Sequence, residues 1–235
     1  MSLLSVQNVS KRVREGERER TILHGVELEL QAGELVGIWG ARRSGRTTLL
    51  RIAAGIETPD AGTVQFEGSD LAKHRDRTLG TGIGYVTRTL RAGEEQRVLE
   101  QVGAALLARG TPVDRALESA REALARAGCA GTAAMRVGEL AGAELVRVAI
   151  ARTLTLSPAL LVIDDPTATV ELSERDGILT LLRELARDGI AVLASSGAPE
   201  ELAGFHRVLT LGEGVLRGVS ASGLAPVVAL RSRAV

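Results

Sequence analysis

The sequence predicts an α/β fold built on a mostly parallel sheet covered on both faces, and three observations carry that prediction. The runs ELVGIW at 34–39, PALLVI at 158–163 and GIAVLA at 189–194 are apolar almost throughout, as strands buried on both faces are. Stretches of helical apolar spacing separate them, the alternation that gives parallel strands joined by crossover helices. A loop opened by Gly40, GARRSGRT, runs straight from the first of these strands into a helical stretch.

Each element follows in order. LLSVQNV at 3–9 and VELEL at 26–30 alternate like half-buried strands, with the charged REGERER at 14–20 expected as the hairpin loop between them. After the strand at 34–39 and its loop, TTLLRIAAGI at 47–56 reads as a helix, and PDAGTVQFEG at 59–68 as a turn and strand. From about residue 94 the texture changes to helix formers: EEQRVLEQVGAALLARG, then PVDRALESAREALARAG, with Thr111 expected to cap the second helix and Gly128 to end it. A further helix at 143–156 leads into LLVIDD, and Ser173 is expected to cap ERDGILTLLRELARDG, which precedes the strand GIAVLAS. The last stretch, SGLAPVVALRSRAV, is expected as a loosely held tail.

With 235 residues, 45% hydrophobic and 25% charged, the chain is large enough to bury roughly 70–75% of its unfolded surface as one globular domain. Basic and acidic residues balance at 29 each, so no field favours nucleic acid, and none is expected as a partner. The lone Cys129 excludes an internal disulfide and is expected as a small buried hydrophobe. An N-terminal stretch without a basic region, and the lack of an apolar run near 18 residues, predict a cytoplasmic chain.

Chemistry concentrates in the loop. Gly40 and Gly45 permit tight turns, so that consecutive backbone N–H groups and a helix N-terminus can surround phosphate. Thr47 offers a hydroxyl for Mg²⁺, and Arg46 a charge where such loops use lysine; a planar guanidinium needs more room and another angle than an ammonium. Asp164 closes a buried strand, where a carboxylate can hold Mg²⁺ or its water. The bland alternative is that Asp164 and Asp165 only cap the segment after them.

Over nearly its full length the chain resembles the ATP-binding cassette ATPases, the nucleotide-binding subunits of ABC transporters. IGYVTR at 83–88 is similar to their strand leading to the Gln loop, LAGAELVRVAIARTL at 140–154 to their signature segment LSGGQ-x-x-R-V-A-I-A-R-A-L, and IDDPTATVE at 163–171 to their D-E-P-T-S-A-L-D run. GERERTILHGVELELQAGELVGI looks most like cassettes of lipoprotein-release and macrolide-efflux permeases. The resemblance implies a P-loop NTPase (RecA-like) core at about 1–87 and 155–235, an N-terminal antiparallel β subdomain and a helical signature-bearing subdomain at about 88–154. It implies ATP and Mg²⁺ as ligands, with Gly40, Arg42, Arg43, Ser44, Gly45, Arg46, Thr47 and Thr48 around the phosphates and Thr47 and Asp164 at the metal. Ala141, Gly142 and Ala143 would be presented to the nucleotide of a second ATPase subunit, in a homo- or heterodimer. A membrane permease would hold the dimer at the inner face of the membrane.

The departures cluster at positions that touch nucleotide. Against the family's pattern, Val13 stands for the adenine-stacking aromatic, Arg46 for lysine, Arg43 for glycine, Arg88 for the Gln, Asp165 for the catalytic Glu, Gly197 for the switch His, Ala141, Gly142 and Ala143 for Ser-Gly-Gly, Glu144 for Gln, and Glu171 for the closing Asp. Asp165 is shorter than Glu by one methylene, about 1.5 Å, and misplacement on that scale costs on the order of 10²-fold in rate. Ala141 lacks a donor for phosphate, and the Ala143 methyl is expected to hinder close backbone approach. The chain is therefore expected to bind ATP weakly and hydrolyse it slowly or not at all, with Asp165 as a weak catalytic group. The alternatives are a nucleotide-independent regulatory module that retains the fold, or an active ATPase with altered motifs.

Overall fold

The computed structural model describes residues 2–16, 18–73, 82–86 and 93–219. Two sheets organise it. The first is antiparallel, in the order β2-β1-β4-β5, from β1 (Leu4–Glu15), β2 (Arg18–Leu30), β4 (Ala61–Phe66) and β5 (Ser69–Asp70). The charged stretch expected as a hairpin loop is mostly strand: Val13 pairs with Arg20, Arg14 with Glu19 and Glu15 with Arg18, and the chain turns at Gly16 with φ 66°. Ladder bonds are made by backbone, and alternating charges at an exposed end do not oppose them; Arg12 and Glu19 stand 3.5 Å apart across the pair.

The second sheet has six strands in the order β10-β9-β3-β8-β7-β6. These are β3 (Leu35–Trp39), β6 (Ile83–Val86), β7 (Leu160–Ile163), β8 (Ala191–Ser196), β9 (Arg207–Gly212) and β10 (Val215–Val219). All neighbours run parallel except β10, which folds back antiparallel on β9. Side-chain alternation explains why the central strands are apolar throughout. Leu161, Ile163, Val192 and Ala194 enter one core cluster, while Leu160, Val162, Ala191 and Leu193 enter the other. Burying each such aliphatic side chain contributes about 1.5–3 kcal/mol, so both faces of the sheet must be covered.

The first cluster is roofed by α2 (Val98–Leu107), α3 (Val113–Arg126), α4 (Gly142–Leu154) and α5 (Leu172–Arg187). The second joins α1 (Arg46–Ala53) and the inner face of the antiparallel sheet. Gly84 on β6 is held to glycine by α4, because a Cβ there would collide with Thr153 Cγ2. Gly128 ends α3 as expected: its φ is 70°, its N–H donates to Ala125 O at 3.0 Å, and the Cys129 N–H donates to Leu124 O at 2.9 Å.

Both expected side-chain caps are absent. Pro112, not Thr111, occupies the N-cap of α3, and Glu171, not Ser173, that of α5; neither makes a side-chain capping bond. Each helix starts where an extended residue precedes it, and Ser173 already lies within the first turn of α5. Cys129 is buried, and that burial pushes its thiol up to about 11. Arg88 and the stretch 222–235 lie outside the described residues.

Candidate functional site

Three strand ends of the parallel sheet converge on one place, since β8 pairs with β3 on one side and β7 on the other. The loop 40–45 follows β3, Asp164 and Asp165 follow β7, and Ser195 and Ser196 end β8, with Gly197 just after it. Carboxyl ends of parallel strands are where open α/β sheets bind ligands.

The loop's glycines are fixed by space and torsion. A Cβ on Gly40 would stand 2.5 Å from the Leu211 carbonyl and 2.6 Å from Ser44 Oγ. Gly45, at φ 101°, is the N-cap of α1, and a Cβ there would lie 2.9 Å from the Ile22 carbonyl. The loop is thus pressed onto β2 and β9 with its turn into α1 already set. Arg43 takes φ 64°, a left-handed conformation costly for a side-chain-bearing residue, in the position where the family has glycine. Arg42 and Arg43 are both exposed, Thr48 is half-buried, and Thr47 is exposed at the mouth of the loop.

Thr47 and Asp164, both expected at a metal, lie within hydrogen-bond distance of each other. The Thr47 hydroxyl donates to Asp164 Oδ2 at 2.8 Å, and the Ser195 hydroxyl donates to Oδ1 at 2.7 Å. Asp165 takes φ 53°, and its N–H donates to Ser195 Oγ at 3.0 Å. Its carboxylate faces Arg46, with Nη2 3.7 Å from Oδ2. Arg46 is not at the surface: its side chain is only 9% exposed, and a Cβ added at Gly197 would stand 3.7 Å from its Nη2.

Among the described residues, two buried side-chain polar atoms have no hydrogen-bond partner: Ser44 Oγ and Arg46 Nη1. Leaving such groups unpaired costs about 1–3 kcal/mol each, and more for a charged one. Both belong to one loop, beside backbone amides and a helix N-terminus, which is the chemistry of an anion site.

Sequence reading missed the support of this site. Glu201 accepts from the Thr167 hydroxyl at 2.6 Å and from Arg175 Nη1 at 2.8 Å, and also from the Ser196 hydroxyl, tying the segment after β7, α5 and the end of β8 together. The usable signal was the pair Ser195-Ser196 closing an apolar strand, since polar residues there face whatever the strand ends hold. Ala141, Gly142 and Ala143 stand apart from this site, at the start of α4. Ala141 is exposed and Gly142 has φ 48°. Ala143 is 6% exposed and packs in the helical cluster.

Comparison with known proteins agrees with this architecture. The family described as ABC transporter matches residues 23–168. The lipoprotein-releasing system ATP-binding protein LolD of Chromohalobacter salexigens is 35% identical over 91% of this chain and 92% of its own length. The LolD of Myxococcus xanthus is 37% identical over 80% and 86%. The dimeric ATP-binding cassette MJ0796, solved in a post-hydrolysis state bound to ADP and Pi, superposes with a TM-score of 0.84 at 26% identity, covering 92% of this chain and 98% of that one. A family match over more than half its residues, with similarity to LolD along nine-tenths of it, establishes that this chain belongs to the ABC transporter family as its ATPase domain.

Proposed function

We propose that this chain is the nucleotide-binding subunit of a transporter of the lipoprotein-release type, binding ATP with Mg²⁺ weakly and hydrolysing it slowly or not at all. The observation that carries the binding half is the pair of buried, unpartnered atoms, Ser44 Oγ and Arg46 Nη1, on a loop whose glycines and helix are already in place. The donor set suits Mg²⁺: a threonine hydroxyl beside an aspartate carboxylate gives hard oxygen ligands, with phosphate and water filling the rest. Thr47 and Asp164 would hold the ion, which neutralises phosphate charge when bound. The weak half rests on Val13, which offers no ring for a base, and on Asp165, whose carboxylate is short and turned toward a cation.

The dimer and the permease follow from the same reading. A partner ATPase subunit would face this chain's loop with its own signature and receive Ala141 and Gly142 in return; the cassette MJ0796 is itself dimeric. The permease would enter a cavity of about 710 Å³ between β6, α2 and α4, lined by Ile56, Tyr85, Gln101, Ala104, Arg109 and Leu156. No helix among the described residues is long and apolar enough to cross a membrane, which suits a subunit held at the inner face through that permease.

Titration with a fluorescent ATP analogue and Mg²⁺ tests the proposal. Saturable binding should weaken about tenfold or more in Thr47→Ala and in Asp164→Ala, the size of a lost charge-assisted interaction. Binding absent from the native chain, or unaltered in both variants, would overturn it in favour of a nucleotide-independent module.

A further inference from the structure

Two adjacent serines close β8, and alternation along the strand gives them different partners. Ser196 donates to Glu201, which also takes Thr167 and Arg175. Ser195 is bonded instead to the two aspartates after β7. It is fully buried, in a strand whose every residue is buried, where a hydroxyl is costly unless its bonds are made.

The direction of those bonds follows from the partners. The Asp165 N–H can only donate, so it uses a lone pair of Ser195 Oγ, 3.0 Å away, and the hydroxyl's own proton goes to Asp164 Oδ1 at 2.7 Å. Asp164 therefore receives one hydroxyl on each oxygen, Ser195 on Oδ1 and Thr47 on Oδ2 at 2.8 Å. The two hydroxyls are not equivalent. Thr47 is exposed at the mouth of the loop, which puts Oδ2 on the open side, whereas Ser195 is enclosed within the sheet. One oxygen of the carboxylate is anchored and the other is presented. The same anchor holds the backbone of Asp165 at its φ of 53°.

We propose that Ser195 is a positioning residue for Mg²⁺: by holding Oδ1 from the buried side, its hydroxyl fixes the Asp164 carboxylate with Oδ2 toward the loop, where Thr47 supplies a second hard oxygen. This rests on the nucleotide-binding reading above. A carboxylate free to turn about its last bond gives up that freedom when it takes an ion; one already hydrogen-bonded on its far oxygen has little left to lose. Outer partners of this kind are worth roughly 10–100-fold in metal affinity.

Mg²⁺ titrations of the purified chain with a fluorescent ATP analogue, beside the same analogue in EDTA, test it. They compare the native chain with Ser195→Ala, Ser195→Cys and Ser195→Thr, with thermal unfolding of each. Ser195→Ala should raise the Mg²⁺ concentration for half-saturation about tenfold and leave affinity in EDTA within about twofold, whereas a damaged fold would weaken both. Ser195→Cys, which fills the position with a weaker donor, should show a smaller rise in the same direction, and it decides the matter if Ser195→Ala does not fold. Ser195→Thr, which keeps the hydroxyl, should stay near the native value. The inference is overturned, with the binding proposal intact, by a half-saturation point unmoved in Ser195→Ala and Ser195→Cys, by equal losses with and without Mg²⁺, or by a folded Ser195→Thr chain that behaves like Ser195→Ala. A native chain that binds the analogue in neither condition, or without regard to Mg²⁺, overturns the reading beneath it as well.

Discussion

At residue scale, the site separates into what places phosphate and what would cleave it. Gly40, Gly45, Thr47 and Asp164 are each held by an identifiable constraint: a close backbone approach, a left-handed torsion, a direct hydroxyl–carboxylate bond. Asp165 is different, because its φ of 53° lies where aspartate is tolerated better than glutamate. Restoring the family's residue alone should therefore not restore its chemistry. Asp165→Glu is expected to cost about 1 kcal/mol of stability in urea unfolding and to leave ATP turnover within a few-fold of the native chain. A large gain in turnover from that single exchange would show that side-chain length, not the surrounding Arg46 and Gly197, limits the reaction.

The loop residues and Asp164 were readable as a set because spacing and strand context expose them. The partners of Asp164 and Glu201 were not, because hydrogen bonds such as Ser195 to Asp164 and Thr167 to Glu201 link positions about thirty residues apart in sequence, with no local pattern to mark them. Likewise Arg46 was recognised as an exchange, but its burial beside Gly197 depends on two strand ends meeting, which no window of sequence contains.

At the scale of elements, apolar runs predicted the central strands well, because burial on both faces leaves no room for polar alternation. The hairpin at residues 14–20 was misread for the complementary reason: charge there suggested loop, yet an exposed ladder needs only backbone pairing. The side-chain caps expected at Thr111 and Ser173 fail because extended Pro112 and Glu171 set the helix starts one or two residues away. Contacts between elements carry their own test. Gly84→Ala should cost about 1–3 kcal/mol by overpacking β6 against α4. Thr153→Ser, which removes the opposing methyl and keeps the hydroxyl that donates to Ala149 O, should recover most of it in the double variant. Equal loss of Tm in the single and double variants would place the strain elsewhere.

For the whole molecule, the division of the core sets the division of labour. The helix α1 that the loop enters belongs to the cluster shared with the antiparallel sheet, whereas Ala143, Val146 and the other buried apolar residues of α4 belong to the cluster under the helices. Segment 141–144 and the phosphate loop thus stand on different packing units, a separation that suits a site completed by a second subunit. Two of the three departures in that segment differ in place: Ala141 is exposed, while Ala143 is buried. We propose that the phosphate scaffold persists and the cleaving chemistry does not. The most direct measurement is the fate of γ-labelled ATP held with Mg²⁺ by the purified chain, separated from free nucleotide and resolved by chromatography over time. Bound label should remain as ATP long after an active cassette would have turned over. Conversion to ADP and free phosphate over repeated cycles, abolished by Asp164→Ala, would contradict it.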